Sequence, residues 1–144
     1  MKRDAMFLQS QLAEAVGPYA SALDCVYLFG SQARGNAGPL SDVDIGLLFS
    51  EAVPRGRRGE IQLQLISHLQ KVNGPHIDVV ILNEAPPFLR HRVIRDGRVL
   101  YCADERRRVA FEVRAIREYL DFKPYLDLHY REQITRIREG RFGR

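Results

Sequence analysis

Apolar residues recur at two different periods along this chain, and the switches between those periods set out an order of elements. Leu8, Leu12 and Val16 stand four apart within residues 4–19, one face of a helix, until Gly17-Pro18 stops the run. Residues 24–29, DCVYLF, read as a strand ending at Gly30-Ser31, and the following loop, 32–41, holds the turn formers Gly35, Gly38 and Pro39. In residues 43–49, VDIGLLF, the period is two. Asp42, Asp44, Gly46 and Leu48 share one face of this strand, while Val43, Ile45, Leu47 and Phe49 form a wholly apolar opposite face. Residues 51–59 are a polar connection, and from Glu60 Ile61, Leu65, Leu69 and Val72 return to helical spacing up to Asn73-Gly74-Pro75. A third strand, HIDVVILN at 76–83, places His76, Asp78, Val80 and Leu82 on one side. Pro86-Pro87 opens a short helix through Ile94, Asp96-Gly97 is a turn, and Arg98 to Tyr101 is a short last strand. Asp104 caps a long helical segment whose apolar stripe is Val109, Val113, Ile116 and Leu120. Pro124 is expected to kink or break it, a second piece runs toward Glu139, and 140–144 fray.

The order helix, strand, strand, helix, strand, helix, strand, helix implies an α/β (α+β) class: a small mixed sheet flanked by helices. With 144 residues one domain is expected, divided into a core at 1–103 and a helical extension at 104–144 packed on it. The hydrophobic share of 45% is that of a globular chain. No run approaches the roughly 20 apolar residues of a membrane span, and Met1-Lys2-Arg3 is not followed by a signal-peptide apolar core. A cytoplasmic protein is the expectation. Cys25 and Cys102 lack metal-ligand spacing and read as reduced thiols in or near the core. Residues 101–144 carry 11 basic and 8 acidic side chains, so most of the net charge of +4 sits there. The interleaved acids favour a mixed-charge helix that docks a partner over a nucleic-acid surface, and basic–aromatic interleaving is missing.

Candidate chemistry lies where carboxylates interrupt apolar strands. Two ionised aspartates on one strand face repel each other and lose hydration, an arrangement kept cheaply only around a cation. Residues two apart on a strand lie roughly 6.5–7 Å apart, so Asp42 and Asp44 can converge on one or two divalent ions. Asp78, between Ile77 and Val79, is a third such carboxylate. Oxygen donors in small number favour Mg²⁺ or Mn²⁺ shared with phosphate oxygens and water. Gly30 lets a backbone approach a phosphate, Ser31 offers an amide and a hydroxyl, and Arg34 can act as a bidentate phosphate donor. Ser41 supports the loop. A P-loop is excluded, because Asn36-Ala37 stands where Lys and Ser/Thr would follow Gly35. The histidines at 68, 76, 91 and 129 form no catalytic pattern with Ser31. Arg90, Arg92 and Arg95 read as one face of a surface helix.

Gly30-Ser31, ten intervening residues, then Asp42-Val43-Asp44 in the next strand resembles the signature of the nucleotidyltransferase superfamily that includes DNA polymerase beta. The fuller string, GSQARG followed by SDVD, looks most like the MNT-type minimal nucleotidyltransferases, a subgroup with antitoxins encoded beside HEPN-domain toxins. The resemblance covers residues 24–82 well and the remaining helices loosely. It implies that Asp42, Asp44 and Asp78 hold the ion that activates an attacking hydroxyl, that Asp42 and Asp44 hold a second ion escorting a triphosphate, and that Asp78 helps deprotonate the nucleophile. ATP would be the substrate. The acceptor it implies is a tyrosine hydroxyl of a HEPN-family RNase toxin, which modification would neutralise. A non-catalytic antitoxin and a transferase acting on a small-molecule hydroxyl, whose pocket a homodimer could build, are the alternatives.

Overall fold

In the computed structural model, residues 5–30, 43–73 and 76–140 are described. Helix α1 (Ala5–Val16) runs into a 3-10 turn at Gly17–Ala22, where Pro18 stands in the first turn, the position that costs proline no backbone hydrogen bond. Strand β1 (Leu23–Phe29) is buried along its whole length, and β2 (Val43–Phe49) nearly so. Helix α2 (Arg55–Asn73) leads to β3 (Ile77–Ile81), α3 (Pro87–Asp96), β4 (Arg98–Cys102) and the long α4 (Glu105–Arg138). The strands lie in the order β3-β2-β1-β4, with β1 antiparallel to both β2 and β4 and β2 parallel to β3. A parallel pair needs a crossover, and α2 supplies it.

Because successive strand residues face opposite sides, the sheet carries two cores. Val26, Leu28, Val43, Ile45, Leu47, Phe49 and Val79 pack against Leu12 and Val16 of α1 and Ile61, Leu65 and Leu69 of α2. On the other side Cys25, Tyr27, Phe29, Leu48 and Leu82 meet Val93 of α3 and Phe111 of α4. The period-two reading of β2 therefore assigns its two faces to two different helix pairs. The side chains of Leu8 and Val72, which complete two of the expected stripes, lie outside the described residues, as do Gly74, Pro75 and residues 141–144.

Three expectations change. Helix α2 starts at Arg55, five residues before Glu60, although Gly56 and Gly59 lower its propensity. Its first turn is held from outside: Arg58 is buried, and its Nε donates to Val53 O at 2.9 Å. Pro124 sits inside α4 without ending it. Proline removes one backbone donor, and 34 residues of otherwise continuous helix, capped by Asp104 Oδ1 on the amides of Arg106 and Arg107, carry the chain past it. The stripe Val109, Val113, Ile116 and Leu120 does not pack on the core; these residues are 40–58% exposed. Helix α4 docks instead through Phe111 and buried Ala115, with polar ties on the same side. Tyr27 Oη donates to Glu112 Oε1 at 2.9 Å, and Arg90 Nη1 pairs with Glu118 Oε2 at 3.1 Å. The His91 and Tyr119 rings stack 3.7 Å apart.

Candidate active site

Three of the residues singled out in the sequence meet at one end of the sheet. Asp44 is the second residue of β2; its register partners are Phe29, the last residue of β1, and Asp78, the second residue of β3. Neighbouring strands run about 4.8 Å apart and residues in register point to the same face, so the two carboxylates leave the sheet side by side. Asp44 is half-buried and Asp78 is exposed. At the first residue of β2, Val43 N donates to the carbonyl of His76, one residue ahead of β3, at 2.8 Å, which pins the register at the edge of the site. His76 itself precedes β3 and is exposed.

Gly30 closes the third side. It follows β1 with φ +77°, in the left-handed region where a Cβ is penalised. A Cβ built there would also collide with Asp44 Oδ2. The glycine is thus required twice, by the turn and by the carboxylate lying against it. The sequence identified Gly30 as a place for close phosphate approach; that Asp44 itself fills the space above it depends on the β1–β2 register. Ser31, Arg34, Ser41 and Asp42 lie outside the described residues. Among the described residues no group of three or more metal-ligating side chains is gathered. Two acidic side chains in register, one open to solvent, beside a backbone without a side chain form a site able to take a polycation or the metal complex of a polyanion. By charge alone they would repel a free phosphate.

Arg90 is not on an open face. Its Nε and Nη2 donate to the carbonyls of Leu82 (2.9 Å) and Asn83 (2.5 Å), so it clamps the end of β3 to α3. Arg95 pairs with Asp96 at 3.1 Å, which holds its guanidinium protonated more firmly. A cleft of about 370 Å³ lies at the opposite end of the strands, lined among others by Asp24, Phe49, Arg107 and Arg114. Arg107 Nη1 reaches the buried Asp24 Oδ1 there at 2.9 Å. No periodicity in the sequence signals this cleft, because its walls come from β1, β2 and α4, far apart in the chain.

A family model described as polymerase beta, nucleotidyltransferase matches residues 12–106. The protein adenylyltransferase MntA of Aphanizomenon flos-aquae (strain 2012/KM1/D3) is 32% identical over 90 residues, covering 55% of this chain and 57% of that protein. The chain spans about half the length of the curated relatives it matches. Its fold resembles a crystal structure of a toxin–antitoxin with AMP-PNP (TM-score 0.74, 21% identity, 88% of this chain and 98% of that one). It also resembles a tri-AMPylated Shewanella oneidensis HEPN toxin in complex with MNT antitoxin (TM-score 0.67, 21% identity, 91% of this chain and 99% of that one).

Proposed function

This chain belongs to the polymerase beta nucleotidyltransferase family, and from that premise we propose that it transfers AMP from ATP to a tyrosine hydroxyl of a HEPN-type RNase toxin and so acts as its antitoxin. The observation that carries the reading is the register of Asp44 with Asp78 beside the left-handed Gly30. Residues 1–103 are the catalytic core in this reading and 104–144 its helical extension.

The donor set fits a divalent cation. Asp44 and Asp78 offer oxygens only, and the carboxylate of Asp44 lies in the space that a side chain at position 30 would fill. Asp42, two residues before Asp44 in sequence, would join them in holding Mg²⁺ or Mn²⁺. Such ions, when bound, offset the charge of the triphosphate and of the reacting oxygens. The chain's own residues do the rest. The backbone at Gly30 and the amide and hydroxyl of Ser31 receive phosphate oxygens, Arg34 adds a cationic donor, and Ser41 supports the loop that bears them. Asp78, exposed at the rim, accepts the proton of the incoming hydroxyl. The hydroxyl oxygen forms a bond to the α-phosphorus as the bond from that phosphorus to the pyrophosphate oxygen breaks. The acceptor keeps AMP, and pyrophosphate leaves. An added phosphodiester charge where an RNase must hold RNA phosphates repels its substrate.

Intact-mass spectrometry of a co-expressed HEPN partner, with ATP and Mg²⁺, tests this. The partner should gain one AMP residue per event with the native chain and none with Asp44→Asn or Asp42→Asn, each of which should stay folded. Asp78→Ala should lower transfer more than ATP binding. A partner neutralised without any gain in mass would replace the transferase reading with a purely binding antitoxin.

A further inference from the structure

The exposed stripe of α4 continues beyond Leu120. Val109, Val113, Ile116, Leu120, Lys123, Asp127, Tyr130, Ile134 and Ile137 follow one another at alternating intervals of four and three, the 3.5-residue period of a coiled-coil seam. The face is open except at the half-buried Ile134: Val113 is 41% exposed, Leu120 58%, Tyr130 64% and Ile137 56%. It turns away from Phe111 and Ala115, by which α4 packs on the sheet. Pro124 lies beside the seam and not in it.

We propose that this face pairs with the same face of a second copy of this chain, as an antiparallel helix pair centred on residue 125. The seam is complementary to itself in that register and no other sense. Val113 meets Ile137 of the second copy, Ile116 meets Ile134, Leu120 meets Tyr130, and at the middle Lys123 meets Asp127. From Val113 to Ile137 every layer is apolar against apolar except the central one, which is an ion pair made twice. A parallel pair would set Lys123 against Lys123 and Asp127 against Asp127, two repulsive layers at the centre. The two cores, attached along residues 105–119, fall at opposite ends of the pair and do not compete for space. One flank of the seam carries Arg117 and Arg131, which face each other across the pair; this exposed repulsion tempers the association and labels the register. The inference is independent of the transfer chemistry.

Sedimentation equilibrium of the full chain at micromolar concentrations should show a reversible dimer. Leu120→Asp should give a monomer with an unchanged far-UV circular dichroism spectrum. Lys123→Asp alone should weaken association about tenfold, and the double variant Lys123→Asp/Asp127→Lys should recover most of it. Arg117→Glu should tighten the dimer about fivefold, since Glu at 117 would face Arg131 twice. A chain monomeric throughout, a dimer indifferent to the charge exchange, or a face that binds only a different protein would each overturn the proposal.

Discussion

At Gly30 two constraints fall on one residue, and they separate by substitution. Gly30→Ala places a Cβ in a left-handed conformation and against the Asp44 carboxylate. It should cost about 1–3 kcal/mol in a denaturant melt and displace Asp44. Combining it with Asp44→Gly, which clears the collision, should leave only the conformational part. If the two changes simply add, the carboxylate does not lie where the register puts it. Cys25 gives a second test at this scale. It is fully buried, faces Cys102 across β1 and β4, and burial pushes its thiol from 9.0 up to about 12. Burial likewise raises the phenol of Tyr27. The folded state therefore holds these protons more tightly than the unfolded chain. The contribution of Cys25 is complete below about pH 9 and is lost as pH rises toward 12, and that of Tyr27 begins to fall only above about pH 10. Thermal melts should stay level to about pH 9 and fall above it, and the fall should be shallower in Cys25→Ala.

The two long helices show how a period becomes a packing face. In α2 the stripe Ile61, Leu65, Leu69 is buried to 2% or less, so Leu65→Ala should cost about 2–5 kcal/mol. In α4 an equally regular stripe is exposed, so Val113→Ala should change the stability of the monomer by no more than about 0.5 kcal/mol. Chemical denaturation at low protein concentration compares the two directly. Periodicity marks which residues share a helix face; it does not say which of two faces the sheet will take. On α4 that choice went to Phe111 and Ala115, because Glu112 meets the phenol of Tyr27, Glu118 meets Arg90 and Tyr119 stacks on His91 on the same side.

For the whole molecule, the parallel β2–β3 pair brings together carboxylates 34 positions apart in the chain, and α2 is the connection that permits it. In the proposed reaction, a site made of acids reaches electrostatic balance only with both metal and nucleotide bound. Mg²⁺ and ATP together should therefore raise the melting temperature by more than the sum of their separate effects, and purely additive shifts in a thermal titration would argue against ions shared with the triphosphate. The sequence determined the order of elements, the two faces of β2 and the isolation of Asp44 and Asp78 among apolar neighbours, since alternation and burial cost act over a few residues. The start of α2 escaped it because a buried arginine bonded to Val53 O outweighs two glycines, and the passage of α4 through Pro124 because a long helix outlasts one missing donor. Only the tertiary structure decided that Asp44 stands in register with Asp78 and lies over Gly30, and that α4 leaves its most regular apolar stripe uncovered. Register and choice of face depend on contacts between segments distant in the chain, which no local period contains.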